Sequence, residues 1–381
     1  MPAEMILTNA QVVTADQVFL GTVQVRDGII TDVQEGVSHA LGAQDLHGDY
    51  LLPGLVELHT DNLEKYMSPR PGVDWPSASA VLTHDAQIAS AGITTVFDAL
   101  SIGDVNLRGK RVQQLPAMIE AIAALEASGD NRAEHVLHLR CELSQPKTFE
   151  RYQELASHSL VKLVSVMDHA PGQRQFASLE KYREYYMGKY QLGPAQMDAF
   201  MALQIENSRL YSASQRQAIV ADCHARGIAI ASHDDATLDH VEESAGFKMS
   251  IAEFPTTLEA AKASHRMGLK VLMGAPNVVR GGSHSGNIAA ADLAKEGVLD
   301  ILSSDYYPAS LLHAAWLLAA QDNDYDLPKA IATVSQAPAQ AAGFADRGEI
   351  RVGLRADLVH AHSKKAHPVI NQVWRQGRRV F

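Results

Sequence analysis

Gly54-Leu55-Val56-Glu57-Leu58-His59-Thr60-Asp61-Asn62 is the stretch whose reading decides the fold. Gly54 to Leu58 is a short apolar run that reads as a buried strand, and it stops in an imidazole, a hydroxyl and a carboxylate. Residues two apart on a strand face one side, so His59 and Asp61 point together. Outward from this stretch the same alternation repeats. Pro76 to Ala91 reads as helix and Ile93 to Ala99 as strand; Gln114 to Ser128 as helix and His135 to Leu143 as strand. Leu160 to Met167 is the next strand, followed by a long helical stretch to Arg226. The strands Gly227 to Ser232, Met249 to Phe254, Lys270 to Met273 and Leu299 to Ser303 follow, separated by helices, and helices over Leu311 to Ala320 and Leu327 to Ala342 close the series. Strands alternating with helices in this number predict an α/β fold, a (β/α)8 TIM-like barrel. The competing doubly wound sheet would carry a Gly-x-Gly-x-x-Gly turn after its first strand, and this chain has none.

Both ends of the chain read as β. Met5 to Thr14 is one apolar run, and Gly21 to Val33 holds two more joined by Asp27-Gly28, a strong hairpin signal. Ala356 to Ala361 reads as a strand, and Pro368 to Phe381 as two short strands around Gly377. The expected organisation is a small β-sandwich domain built from both termini, residues 1–53 plus 345–381, around a barrel over 54–344.

The 381 residues are 46% hydrophobic and 20% charged, enough for a full core. A formal net charge of −11 argues against nucleic acid as a partner. The two cysteines, Cys141 and Cys223, form no Cys-x-x-Cys pattern and read as reduced thiols. Met1 to Thr14 lacks the form of a signal peptide, and no apolar run would cross a bilayer. A cytoplasmic protein is expected, with no membrane partner and with a homo-oligomer compatible with the sequence.

Barrel enzymes carry their reactive residues at the C-terminal ends of strands. Here those ends are polar: His59-Thr60-Asp61, Arg140-Cys141-Glu142, Asp168-His169, His233-Asp234-Asp235, Glu253 and Ser303-Ser304-Asp305. Mixed imidazole and carboxylate donors suit zinc first, with manganese, iron or nickel as alternatives, and one or two ions. Each candidate also has a structural reading. Glu142 could pair with Arg140, His169 could cap the following turn, and Glu253 could bind backbone, behind the ligands. His360-Ala361-His362 has ligand spacing but falls in the C-terminal sheet and reads as surface strand. Cys141 alternates with Glu142 and should point away.

Pro53-Gly54-Leu55-Val56-Glu57-Leu58-His59, followed by barrel ligands and a late Ser303-Ser304-Asp305, resembles the amidohydrolase superfamily. The blocks His59 to Lys65, Pro69 to Val73, Met167 to Phe176, Ala252 to Thr257, Met273 to Asn277 and Gly281 to Asn287 resemble its phosphonate-utilisation branch, almost end to end. The resemblance implies hydrolysis of α-D-ribose 1-methylphosphonate 5-triphosphate to the 5-phosphate and pyrophosphate, with a divalent metal. The superfamily usually opens with His-x-His, where this chain has His-x-Asp, and often bridges its metals with a modified lysine. Lys162 lies too near a strand start for that role, and the resemblance to superfamily branches with a strand-three glutamate implies Glu142 as the bridge. The metal set is then His59, Asp61, Glu142, His169, His233 and Asp305, with Asp305 as catalytic proton acceptor for the attacking water. Lys65, Arg70, Arg174, Arg280 and His284 are the expected substrate-binding residues, the last two in a glycine-rich segment suited to phosphate. The alternatives are a metal-dependent amidase or deacetylase, or a metal-free scaffold.

Overall fold

The computed structural model describes residues 4–103, 111–174, 179–283, 286–321, 323–364 and 367–381. By backbone contacts the chain divides into two compact units: Met1–Asp98 with Ala117–Val136 and Met273–Phe381, and Ala99–Pro116 with Leu137–Leu272.

The strands in chain order are β1 (Glu4–Val13), β2 (Val18–Arg26), β3 (Ile29–Glu35), β4 (Gln44–Asp45), β5 (Tyr50–Pro53), β6 (Leu55–Thr60), β7 (Ile93–Ile102), β8 (Glu134–Glu142), β9 (Val161–Met167), β10 (Ala229–His233), β11 (Ile251–Glu253), β12 (Lys270–Gly274), β13 (Ile301–Ser303), β14 (Leu358–Lys364), β15 (His367–Arg375) and β16 (Arg378–Arg379). They form two sheets. One runs β16-β15-β14-β5-β1-β2-β3, with β4 pairing β1, and so draws on both chain ends. Its apolar side gathers Leu7, Val12, Val23, Ile30, Leu51, Leu358 and Trp374 into a core. The other is the eight-strand run from β6 to β13 in chain order, the (β/α)8 barrel that the alternation predicts.

Two hairpin tips show how the terminal sheet is set locally. Asp27 and Gly28 have φ of 51° and 79°, and Gln376 and Gly377 have 48° and 69°. Positive φ at both central residues defines the tight turn whose twist matches a β-hairpin. The tips also meet: a Cβ on Gly28 would lie 2.8 Å from the Gln376 carbonyl oxygen. His360, expected at the surface, is buried, with Nε2 2.8 Å from Asp49 Oδ2. His362 instead meets Asn371 Oδ1 at 3.1 Å.

The barrel elements depart from expectation where tertiary bonds extend or cut them. β6 runs to Thr60, which pairs with Asp98 of β7 and makes a parallel bridge to Asp305 across the seam between β6 and β13. The helix expected over Leu327 to Ala342 is two, Leu327–Ala332 and Gln336–Ala341. The chain leaves helical form between them, where the Thr333 and Val334 carbonyls accept N–H bonds from Leu302 and Val56, strand residues on either side of the seam. The long helical stretch before Arg226 resolves into Leu179–Tyr190, Pro194–Asn207 and Ala213–Arg226, with a π turn at Ser208–Ser212. Among the described residues, no helix is long and apolar enough to cross a membrane.

Glu57 ties the seam. Its Oε1 accepts the His59 N–H at 2.6 Å, its Oε2 accepts the Ser304 N–H at 2.5 Å, and Ser303 Oγ lies 2.6 Å from Oε1. Burial outweighs these bonds and holds the Glu57 carboxyl above the usual carboxylate range. Replacing Glu57 with alanine strands two buried N–H groups, each worth about 1–3 kcal/mol, while Ser303 Oγ keeps the His59 carbonyl at 2.6 Å. Glu57→Ala should therefore lower unfolding stability by about 2 kcal/mol or more in urea titration. A loss under about 1 kcal/mol would show that the seam does not depend on this carboxyl.

Candidate metal centre at the strand ends

Two histidines in the second unit are each held by a carboxylate on a neighbouring strand. His233 ends β10, and its register partner on β11 is Glu253. His233 Nδ1 lies 2.7 Å from Glu253 Oε2. His169 follows β9, and its Nδ1 lies 2.6 Å from Oε2 of Glu142, the last residue of β8. In both rings the Nδ1 hydrogen goes to a carboxylate, which turns Nε2 the other way. Carboxylates behind metal-binding imidazoles act in this manner, setting tautomer and ring orientation.

Both Nε2 atoms face one oxygen. Asp234 Oδ2 lies 3.4 Å from His169 Nε2 and 3.5 Å from His233 Nε2. Asp234 is buried and sits at φ +58°, a conformation that non-glycine residues adopt at some cost. Its N–H donates to the Glu253 carbonyl at 2.9 Å, which pins the backbone in that turn. Oδ2 makes no hydrogen bond of normal geometry among the described residues. The separations are long for hydrogen bonds. They suit ligands of one ion, because donors at 2.0–2.1 Å from a tetrahedral zinc are about 3.3 Å apart. The three donor atoms all lie within 4.8 Å of one another. The residues present therefore fit a divalent transition metal.

Without such an ion the charges balance on a proton. Burial alone would push His169 down, but the carboxylates of Glu142 and Asp234 outweigh it and raise its pKa to about 10. Burial pushes the Glu142 and Asp234 carboxyls up, and imidazole neighbours bring both below the usual range: His169 beside Glu142, and His233 then His169 beside Asp234. The His169 proton is the charge that a bound cation would replace.

This geometry revises several expectations. Glu142, expected to bridge two metals, has both oxygens engaged: Oε2 with His169 Nδ1, Oε1 with the His169 N–H at 3.1 Å and with Ser144 Oγ at 2.9 Å. It orients His169, as Glu253 orients His233. Asp234, absent from the expected ligands, is the carboxylate between the imidazoles. The signal for it was the run His233-Asp234-Asp235 at a strand end, but only its left-handed backbone turns the side chain inward. Arg174, expected to reach substrate, is buried, with its guanidinium on Asp235 and, at 2.9 Å, on Glu243. Asp168, not His169, caps the turn after β9, accepting the Ala170 N–H at 3.1 Å. Lys162 is exposed, away from any role as a bridge.

In the first unit, His59 is buried at the end of β6 with its N–H on Glu57. The Asp61 N–H donates to the Asp305 carbonyl at 3.2 Å, so the seam brings these two acidic residues side by side. Asp305 has φ +54° and donates its own N–H to Ser303 Oγ at 3.3 Å. Lys65 is exposed, with its ammonium on the Tyr306 carbonyl. Arg70 is exposed in a turn. Arg280 ends the helix Ala275–Arg280. The N–H groups of Gly281 and Gly282 bond back to Val278 and Asn277, so these glycines cap a helix and do not present their amides to phosphate. His284 lies outside the described residues.

The profile of the Amidohydrolase family matches residues 86–381. The chain is 54% identical over 378 residues to the Alpha-D-ribose 1-methylphosphonate 5-triphosphate diphosphatase of Escherichia coli (strain K12), covering 99% of this chain and 100% of that protein. Among solved structures it resembles 5-methylcytosine deaminase from Klebsiella pneumoniae, with a TM-score of 0.66 and 14% identity over 99% of this chain and 97% of that one. It also resembles N-acetylglucosamine-6-phosphate deacetylase from Pasteurella multocida, with a TM-score of 0.63 and 12% identity over 99% of each chain. At these identities the two structures share the fold alone.

Two outcomes follow from the imidazole–carboxylate trio. Asp234→Ala should abolish the ion held at this centre, read as a drop in bound metal by elemental analysis; undiminished stoichiometry would remove Asp234 from the ligands. Glu142→Gln should weaken metal affinity about 10–100-fold by loosening His169. Because His169 must release its proton, affinity should climb as pH rises toward about 10, and a pH-independent affinity would contradict the assignment.

Proposed function

Because the chain belongs to the amidohydrolase family, we propose that it hydrolyses α-D-ribose 1-methylphosphonate 5-triphosphate to the 5-phosphate and pyrophosphate, in phosphonate catabolism. The support is the Escherichia coli diphosphatase of that name, more than half identical to this chain along its whole length. The observation that carries the chemistry is Asp234 Oδ2 between the Nε2 atoms of His169 and His233. A divalent ion at such a centre, zinc by its donors, supplies Lewis acidity and lowers the pKa of bound water toward 7.

The chain's own residues divide the remaining work. We assign His59, Asp61 and Asp305 as further donors, the last two being neighbours through an N–H to carbonyl bond. Asp305 takes the proton from the attacking water as the α-phosphorus is attacked and pyrophosphate departs. Lys65, Arg70 and Arg280, all exposed, supply cations for the triphosphate, with His284 added on sequence grounds. Arg174 is left out, since its charge is met by Asp235 and Glu243. We assign residues 54–344 to the catalytic barrel and residues 1–53 plus 345–381 to the terminal sheet. The two unbonded cysteines fit a reducing cytoplasm.

The deciding experiment follows the metal-loaded protein acting on the ribose triphosphate by ³¹P spectroscopy. Pyrophosphate should appear; release of orthophosphate alone would refute the diphosphatase reading. Asp305→Ala should cut kcat by about 10²–10⁴-fold while substrate still binds. Near-normal turnover in that variant would remove Asp305 from proton transfer. Arg280→Ala should raise KM with little change in kcat, and an unchanged KM would take Arg280 out of the substrate's reach.

A further inference from the structure

Away from the metal donors, the first unit buries a string of polar side chains that the reaction above does not use. The helix Ser77–Ser90 contributes His84 and Asp85, β7 contributes Asp98, and β8 contributes His135; all four are fully buried. His135 Nδ1 lies 2.7 Å from Asp98 Oδ2, and its Nε2 lies 3.3 Å from Asp85 Oδ1. With a carboxylate at each nitrogen, both must carry hydrogen. Burial alone would push His135 down, but Asp98 and Asp85 outweigh it and raise its pKa to about 10. His135 is thus a buried imidazolium. The other oxygen of Asp98, Oδ1, lies 2.8 Å from His84 Nε2.

The string continues to the loop after β6. His84 Nδ1 lies 3.0 Å from Nδ2 of Asn62, whose second amide hydrogen goes to Gln87 Oε1 at 2.7 Å. Asn62 is 2% exposed, so its amide has little water to turn to. Its Oδ1 accepts from the Lys65 ammonium at 3.4 Å. That contact sets the amide's direction, since an ammonium can only donate. Nδ2 then donates to His84 Nδ1, and the His84 hydrogen is placed on Nε2, toward Asp98. Every donor along the string meets an acceptor.

His84, Asp98 and His135 are also ligand types, and their donor atoms cluster. Here, however, each Asp98 oxygen stands at hydrogen-bond distance from a ring nitrogen, 2.8 and 2.7 Å. A proton satisfies each gap, in contrast to the 3.4 and 3.5 Å separations around Asp234.

We propose that Asn62 is a positioning residue, whose amide couples Lys65 to the buried His84–Asp98–His135 string and so holds the Lys65 ammonium for the substrate's triphosphate. The inference rests on the reading of Lys65 as a phosphate-binding group. The second tie on Lys65 is the Tyr306 carbonyl, next to Asp305. Lys65 is thereby held on one side by the string and on the other by the seam segment. Freed from Asn62, a flexible lysine would sample many positions, and substrate would have to order it on binding.

The test is a double-mutant cycle on Asn62→Leu and Lys65→Ala with the metal-loaded protein and the ribose triphosphate. Each single variant should raise KM by about tenfold, with kcat changed less than about threefold. The double variant should be no worse than either single one. Multiplied effects, about 100-fold in KM, would overturn the coupling, as would a loss confined to kcat. An unchanged KM in Lys65→Ala would overturn it too, by leaving Asn62 nothing to position, while pyrophosphate release by the unaltered protein would leave the reaction standing.

A ¹⁵N spectrum of the histidine rings reads the Asn62–His84 hydrogen bond through which the coupling runs. His84 should carry hydrogen on Nε2 alone, and in Asn62→Asp, which removes the amide donors but preserves shape, it should gain a second on Nδ1. The opposite tautomer, or no change in Asn62→Asp, would sink the proposal. Should Asn62→Leu fail to fold, Asn62→Ala carries the cycle. Should the unaltered protein release no pyrophosphate, the reaction falls separately, and the same cycle read on the Kd of the ribose triphosphate decides the inference.

Discussion

A barrel built from sequential parallel strands has one join that chain order cannot supply, the seam between its first strand and its last. In this protein the seam is a hydrogen-bonded tie around one buried carboxyl. Glu57 on β6 takes the His59 N–H and the Ser304 N–H, and Thr60 bridges Asp305. The residues on either side of that tie are those expected to do chemistry. His59 receives its backbone direction from Glu57, and Asp61 and Asp305 are joined by an N–H to carbonyl bond. Closing the barrel and bringing Asp61 beside Asp305 are therefore one event, and a chain that failed to close would also fail to bring these residues together.

The second unit solves a different problem, how to aim an imidazole. A histidine has two nitrogens, and only a hydrogen bond to one decides what the other faces. Glu142 and Glu253 make that decision for His169 and His233 from neighbouring strands. Parallel pairing puts His233 and Glu253 in register, so the second carboxylate comes with the sheet. Asp234 enters only because its backbone accepts the left-handed region, and the same conformation recurs at Phe254 and Asp305, each just past a barrel strand. Strain of this kind re-aims a side chain where a regular strand would send it to the opposite face.

The part of the site legible in the sequence was its set of chemical types and their places at strand ends. His169 and His233, which meet one carboxylate oxygen, were readable as a pair because imidazoles recur at strand ends in step with the strand period. The roles of Glu142 and Asp234 were not readable, since both are acids at strand ends, and what separates them is which oxygen meets which nitrogen. Arg174 was misplaced for a similar reason. Its sequence position next to a polar strand end suggested a substrate cation, but Asp235 and Glu243 neutralise it. The glycines at 281 and 282 looked like a phosphate loop until their N–H groups were found capping a helix.

By itself the sequence determined the alternation of strands and helices, the hairpin turns at Asp27-Gly28 and Gln376-Gly377, the family, and the donor types. These rest on local periodicity and on backbone preferences that a residue carries wherever it stands. Only the tertiary structure decided that β6 extends to Thr60, that Asp234 is the carboxylate between two imidazoles, and that His59-Thr60-Asp61-Asn62 looks two ways. Asp61 meets the seam, and Asn62 meets the buried His84. Those facts depend on partners 22 to 245 residues away along the chain, His84 from Asn62 and Asp305 from Thr60. No spacing within a single strand or helix encodes a hydrogen bond of that reach.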